Sequence, residues 1–405
     1  MSVETEFTPP PWINDKFLET AFQSGEDNNL IVRCKYIKPA TASGDNYLSQ
    51  MYRVHVQITR RGKQEDKSII VKTVPFTEAM LKITSNGQMF VKEMTMYRDV
   101  LPAMHRALEK VSPGTCERFG AEYIYSITDS DKPVIVLEDL KKLGFTMAER
   151  LNGLDMDHCL LVLRSLARFH AISLALREEN PNMFQKFSTT IFCEEMRSDL
   201  ETFFTVNIAK LAQEVENWAG YERFATKLHK LSENAMGIWI NSVAMNEGDF
   251  NVLSHGDLWL NNIMFRYSEE TGKVEDVRFV DYQLCYWTSP TVDLLYFLNS
   301  SPEINISENY DAFLGDYHKT LGKTLTILGY GTLAPTLKQL TGELEKRGAF
   351  GAVAGVSVRV VVQVDRKNIP DMDKVLKEGQ SVHFSNEYKE AMKKLLPFYE
   401  QRGWL

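Results

Sequence analysis

Ser254-His255-Gly256-Asp257-Leu258-Trp259-Leu260-Asn261-Asn262-Ile263-Met264-Phe265 sets a carboxylate, Asp257, and a carboxamide, Asn262, in one segment between two short apolar runs. The first run is Asn251-Val252-Leu253 and the second Ile263-Met264-Phe265, both strand-like. A loop of that length can aim an anion at a hydroxyl proton and a neutral oxygen ligand at a hard cation. Phosphoryl transfer needs both, because the nucleophile must be oriented and the phosphate charge neutralised by magnesium. A second carboxylate, Asp281, follows the next strand-like run, Val277-Arg278-Phe279-Val280.

The totals restrict the alternatives. At 405 residues, with 44% hydrophobic and 25% charged residues, the chain can form two or three domains around a large core. A net charge of −8 argues against a nucleic-acid partner, which would need clustered Lys and Arg. Arg60-Arg61-Gly62-Lys63 is basic but reads as a hairpin turn. The five cysteines are dispersed with no C-x-x-C spacing, which suggests free thiols in a reducing compartment. The acidic, proline-rich start lacks the pattern of a secretory signal. The stretch from Ala349 to Val358 is too short to span a bilayer. A cytoplasmic protein with no membrane span is expected, its oligomeric state open and a monomer compatible.

Residues 1–29 read as a leader with an amphipathic segment from Trp12 to Phe22. Residues 30–140 carry β-type runs from Leu30 to Ile37, Tyr47 to Thr59 and Lys67 to Val74, then Ala121 to Ile127 and Pro133 to Leu137. The small and polar residues from Thr41 to Ser49 would let backbone N–H groups approach a phosphate, although a polar turn is usually only a turn. Lys72 interrupts an apolar strand. Taken alone it reads as an edge-strand lysine facing solvent. A single helix is expected from Gly87 to Val111, with Phe90, Met94, Tyr97 and Leu101 as its buried stripe. Glu93 lies in that stripe and needs a cation, and Lys72 is the obvious candidate. The polar, Gly-ended link from Glu138 to Gly144 suits a hinge between two lobes.

Residues 141–405 read as mainly helical. A strong helix runs from Asp157 to Glu179, with His170 on its apolar face as a hydrogen-bonded structural residue. Two or more helices occupy residues 192–245, rich in aromatics. Their acids Glu194, Glu195, Asp199 and Glu201 read as a solvated face. Tyr282 to Pro290 is expected to be a loop, and helices are expected around Asp293, from Ser307 to Leu328, Thr332 to Arg347 and Ser385 to Arg402. The stretch from Ala349 to Val364 is read as a buried helix, against the strand its β-branched residues favour.

Lys72, Glu93, Asp257, Asn262 and Asp281, in this order, resemble the protein-kinase-like fold, and within it the choline kinase and aminoglycoside phosphotransferase branch. His255-Gly256-Asp257 with Asn262 is similar to the catalytic loop there, and Val280-Asp281-Tyr282-Gln283 stands in place of Asp-Phe-Gly. Asp293 matches a helix-borne Asp that steadies the loop. Gly44-Asp45-Asn46-Tyr47 with Ser49, Val136-Leu137-Glu138-Asp139-Leu140, Leu166-Ala167-Arg168-Phe169-His170-Ala171 and His255-Gly256-Asp257-Leu258-Trp259 resemble the ecdysteroid kinase-like (CHK kinase-like) family more closely, over roughly residues 25–400.

The resemblance implies an α+β, two-lobed fold: an N-lobe of antiparallel sheet plus helix, and a larger, mainly helical C-lobe. It implies ATP and Mg2+ as cofactors and a small-molecule alcohol as acceptor. Asp257 would be the catalytic base, Asn262 and Asp281 the metal ligands, and His255 and Asp293 the supports of the loop. Gly44, Asn46, Ser49, Lys72, Glu93, Glu138 and Leu140 would bind ATP. Gly256 replaces the Arg of a protein kinase's His-Arg-Asp, so substrates of the protein type are disfavoured. An ecdysteroid or similar lipophilic alcohol is expected. A choline-like or aminoglycoside-like amine alcohol and a catalytically silent carrier are the competing readings.

Overall fold

The computed structural model describes the chain apart from residues 1–6, 24–29, 42–48, 76, 87, 115–116, 129–132, 247, 306–308, 366–367 and 369–371. After the helix α1 (Asp15–Phe22), the strands β1 (Leu30–Pro39), β2 (Gln50–Arg60) and β3 (Lys63–Thr73) lead to the helices α2 (Glu78–Asn86), α3 (Met89–Thr95) and α4 (Leu101–Val111). Strands β4 (Tyr123–Ile127) and β5 (Val134–Glu138) complete an antiparallel sheet of order β1-β2-β3-β5-β4. The basic tetrapeptide is the β2–β3 hairpin turn, with Arg61 and Gly62 both at positive φ.

Alternation sorts this sheet into two faces. Val54, Val56, Ile69, Val71, Val134 and Val136 pack under Leu18 and Phe22 of α1, forming a small core of their own. Ile70, Lys72, Ile135 and Leu137 occupy the opposite face, and register sets Lys72 against Ile135 and Ile70 against Leu137. Lys72 therefore does not face solvent. Its side chain is 3% exposed.

The expected single helix over residues 87–111 is instead three pieces. After α3, residues Met96–Val100 form a π-helical turn before α4 resumes. Pro102 supplies the reason: it donates no N–H and crowds the preceding turn, so the ladder widens ahead of it. Helix α2, unread in the sequence, is separated from α3 by Gln88 in the left-handed region. Its apolar Met80 and Ile83 are buried.

The C-lobe begins after the 3-10 turn Leu140–Leu143 and strand β6 (Thr146–Met147). Its centre is α5 (Met156–Glu179), N-capped by the Asp155 side chain. This helix is long and apolar enough to cross a membrane by length and composition, but 72% of its apolar window is buried inside the lobe. Around it pack α6 (Arg197–Val215) and α7 (Arg223–Val243). Three further strands, β7 (Val252–Ser254), β8 (Ile263–Tyr267) and β9 (Val274–Phe279), frame the segment quoted first.

The expected loop from Tyr282 to Pro290 contains a strand, β10 (Tyr286–Thr288), paired antiparallel to β7. Its Tyr-Trp-Thr composition is strand-forming, a signal that the flanking proline and polar residues masked. Then follow α8 (Thr291–Ser300), α9 (Tyr310–Ile327), α10 (Leu337–Lys346), α11 (Gly348–Ser357), α12 (Arg359–Val362), α13 (Met372–Glu378) and α14 (Asn386–Arg402). Helix α10 starts five residues later than expected, because Pro335 precedes a capping box between Thr336 and Gln339. The stretch read as one buried helix over residues 349–364 is largely buried and helical rather than strand, but it is broken at Val358 into α11 and α12 and ends at Val362. The whole is an α+β, two-lobed kinase-like fold.

Candidate active site

The site grows from four chain segments that meet where the lobes face each other. From the N-lobe, β3 delivers Lys72 and α3 delivers Glu93, both buried. The Lys72 Nζ lies 2.8 Å from Glu93 Oε1 and 2.7 Å from Oε2, and 2.6 Å from Asp281 Oδ1. Burial works against the lysine's charge, but Asp281 and Glu93 outweigh it and hold its pKa above the ordinary value. Burial lifts the Glu93 carboxyl, with Lys72 pulling the other way.

Asp281 sits at φ 69°, an uncommon backbone conformation for a residue with a side chain, at the head of the 3-10 turn Tyr282–Leu284. That left-handed kink ends the β9 segment abruptly and turns the carboxylate back toward Lys72. Its Oδ2 accepts from Gln283 Nε2 at 3.3 Å.

The loop between β7 and β8 is held from below by α8. Asp293 accepts the backbone N–H groups of His255 and Gly256 at 2.7 and 2.9 Å, and lies 3.0 Å from His170 Nε2. His170 in turn meets the Tyr317 hydroxyl at 2.8 Å. His255 Nε2 is 3.1 Å from the Val280 carbonyl, tying the loop to the Asp281 turn, and burial keeps its pKa low. His170, read only as a structural histidine, is thus part of the loop's support.

Asp257 is fixed from both sides. Asn262 Nδ2 donates to its Oδ2 at 2.9 Å and to its carbonyl at 2.8 Å. The Tyr296 hydroxyl donates to its Oδ1 at 2.5 Å. Burial raises the Asp257 pKa to about 7; the Tyr296 hydrogen bond opposes the rise and the Asp281 charge adds to it. Tyr296, which the sequence hid, is nearly buried on α8 one turn after Asp293. Its spacing from Asp293 was the available signal.

A cavity of about 350 Å3 lies between the lobes, lined by Lys72, Glu93, Asp281 and Asn262 and by the apolar Ile70, Leu137 and Leu140. Glu138 also lines it, but its N–H donates to the Glu122 carbonyl and is not free for a ligand. Sequence reasoning missed the device that sets this hinge. The Asp139 carboxylate accepts from Arg53 at 2.7 and 3.2 Å and from Ser68 Oγ at 2.6 Å. Ser49 is buried. Gly44 and Asn46 lie outside the described residues.

The donor set suits a hard cation. The Asn262 amide nitrogen is spent on Asp257, which leaves its oxygen for another partner, and the Asp281 carboxylate lines the same cavity. Among the described residues no group of three or more His, Cys, Asp or Glu side chains could hold a metal. One carboxylate and one amide fit Mg2+, which takes few protein ligands and fills its shell with phosphate and water oxygens.

The sequence model of the Ecdysteroid kinase-like family matches residues 43–330, from the segment after β1 to the end of α9 and so across the whole of this site. No curated protein matches the chain. With more than two-thirds of its length covered, this chain belongs to the ecdysteroid kinase-like family.

Proposed function

We propose that this kinase-family protein transfers the γ-phosphoryl group of ATP to the hydroxyl of a small lipophilic alcohol, an ecdysteroid or a compound of similar character. One observation carries the reading. Asp257 is clamped at both carboxylate oxygens, and Asn262, which holds one of them, lines the same cleft as Lys72, Glu93 and Asp281.

In this reading Lys72, kept charged by its two carboxylates, binds the α- and β-phosphates. Asp281 and Asn262 would hold Mg2+, which neutralises phosphate charge when bound. Asp257 accepts a hydrogen bond from the acceptor hydroxyl and orients its oxygen toward the γ-phosphorus. The new O–P bond forms as the bond from phosphorus to the β,γ-bridging oxygen breaks. ADP leaves with that electron pair, and the hydroxyl proton passes to Asp257. Because the transition state is loose, positioning and charge neutralisation supply most of the rate.

The surroundings of Asp257 favour an apolar acceptor over a polycation. The Tyr296 ring meets Trp239 at 5.9 Å, and Trp239 packs on Phe192, Phe204 and Phe350. Of the four acids read as a solvated face, Glu194 and Glu201 pair with Arg197 and Asp199 with Lys82, which leaves little free negative charge there for a polycation. The test is ATP-dependent phosphorylation followed by mass spectrometry across sterols, choline-like amines and aminoglycosides. Turnover of a sterol alcohol, lowered about 100- to 10,000-fold in Asp257→Asn, is expected. Turnover confined to the amines, or unchanged in Asp257→Asn, would overturn the reading.

A further inference from the structure

The residue after Asp281 is a tyrosine, and the side chain of Tyr282 is wholly buried. Four chain segments close on it. Tyr97, from the π turn between α3 and α4, meets its ring edge-on at 5.5 Å. Phe169 of α5 stacks on it at 6.0 Å, and His255 of the catalytic loop lies 4.9 Å away. The fourth segment is the connection between α4 and β4, where the Phe119 carbonyl accepts the Tyr282 hydroxyl at 2.8 Å.

That carbonyl is itself fixed. It also accepts the Phe279 backbone N–H at 2.7 Å, and the Phe119 N–H donates to His105 Nε2 of α4 at 3.3 Å. Burial lowers the His105 pKa to about 4, so its neutral ring keeps a nitrogen free to accept. Gly120 allows the close approach: a Cβ there would lie 3.1 Å from the Tyr282 ring and 3.3 Å from the Phe279 carbonyl. One hydroxyl thus joins the turn that begins at Asp281 to α4, which continues the helical run carrying Glu93.

The join matters because of what the turn presents. A φ of 69° at Asp281 persists only where the surroundings impose it. Asp281 Oδ1 lies 2.6 Å from Lys72 Nζ, and Glu93 holds the same nitrogen at 2.7 Å. The turn and the helix must therefore keep a fixed separation for both carboxylates to meet one lysine. A phenylalanine at position 282 would keep the ring contacts. It would lack the one bond to Phe119.

From this arrangement we infer that Tyr282 is a positioning residue for the metal-bound nucleotide: its hydroxyl locks the Asp281 turn to the N-lobe and keeps the carboxylate proposed for magnesium in register with Lys72 and Glu93. The inference rests on the phosphotransfer reading above, in which Asp281 is a metal ligand. Without the lock the turn spends only part of its time in the binding geometry, and the affinity for Mg·ATP falls by that fraction. Metal-free ATP, which does not use Asp281, loses little.

Calorimetry on the full chain, with Mg·ATP and with ATP in EDTA, tests the assignment on wild type, Tyr282→Phe and Tyr388→Phe. Tyr388 is the matched control: it is equally buried, its hydroxyl donates to the Val356 carbonyl at 3.0 Å, and it does not line the nucleotide cavity. Tyr282→Phe is expected to weaken Mg·ATP about fivefold or more and to change metal-free ATP by less than about twofold. Tyr388→Phe is expected to bind both like wild type. Wild-type affinity for Mg·ATP in Tyr282→Phe, equal weakening of metal-free ATP, or equal weakening in Tyr388→Phe would each overturn the role of Tyr282 and leave the phosphotransfer reading standing. A wild-type chain whose ATP affinity is the same with and without magnesium would overturn both.

Discussion

The Tyr296 hydroxyl donates to Asp257 Oδ1 at 2.5 Å, while Asn262 holds the other oxygen of the same carboxylate. The two residues are far apart in the chain, yet Tyr296 stands on the helix whose Asp293 anchors the backbone of the loop. One rigid element therefore sets both where the loop runs and how its carboxylate is turned. Tyr296→Phe keeps the ring against Trp239 and removes only the hydrogen bond. A charged acceptor losing one donor costs about 1.5–3 kcal/mol, so kcat should fall about tenfold or more. The KM for ATP should not move, because Tyr296 is not among the residues lining the nucleotide cavity. Steady-state kinetics with ATP varied at saturating acceptor separates the two constants. A change confined to the KM for ATP would contradict this assignment.

The raised pKa of Asp257 has a consequence for stability. Burial, its largest cause, makes the folded chain hold this proton more tightly than the unfolded chain, where the ordinary value is 3.8. Stability from this group is thus fully present below 3.8 and is lost as pH rises through about 7. Asp257→Asn cannot ionise and escapes that loss. In metal-free buffer its melting temperature should exceed the wild-type value at pH 8, and the gap should narrow toward pH 4. A gap that is constant with pH would show that the carboxyl titrates normally.

What was legible in the sequence were charges in apolar company. Glu93 in a helical stripe demands a cation and points to Lys72, which alone reads as facing solvent, and the structure pairs the two; Asp293 was legible only through the family resemblance. Asp281 and Asn262 were legible from spacing. Tyr296 was not, because a tyrosine among Leu and Phe looks like core until the carboxylate above it is placed. The Arg53–Asp139 clamp was invisible for another reason. It joins residues 86 positions apart, and only strand order brings β2 beside the end of β5 through β3. The π turn, by contrast, was signalled by Pro102 and simply outweighed by a long helical pattern.

Asp281 combines the proposed metal-binding role with a backbone that few residues tolerate. Asparagine accepts φ near 69° readily, whereas alanine pays roughly 1 kcal/mol or more for it. Asp281→Asn should therefore melt within a few degrees of wild type, and Asp281→Ala lower than either. Wild type should gain stability with Mg·ATP and lose that gain when EDTA removes the metal. Neither variant should respond to Mg·ATP. Thermal melts with ATP alone, Mg·ATP, and Mg·ATP plus EDTA make the comparison. A full Mg·ATP response in Asp281→Asn would remove Asp281 from the metal site.

Gly256 gives the sharpest steric prediction. It lies at φ +80°, and a Cβ there would come within 2.2 Å of the Leu284 carbonyl oxygen and 2.8 Å of Tyr286. Neither wall can retreat. The loop is pinned through its own N–H to Asp293, and Tyr286 belongs to the strand paired with β7. No side chain fits, so the arginine of a protein kinase's His-Arg-Asp is excluded here by space. Gly256→Ala should cost about 3 kcal/mol or more, in the range of the most damaging single substitutions, and yield little soluble protein. Gly272 is the control: its φ is also positive, at +67°, but nothing lies within 4 Å of a Cβ there. Gly272→Ala should cost only the backbone strain, roughly 1 kcal/mol, and leave activity intact. Urea melts of the two variants should differ by that margin. Equal losses would mean that the catalytic loop is free to move away from Leu284.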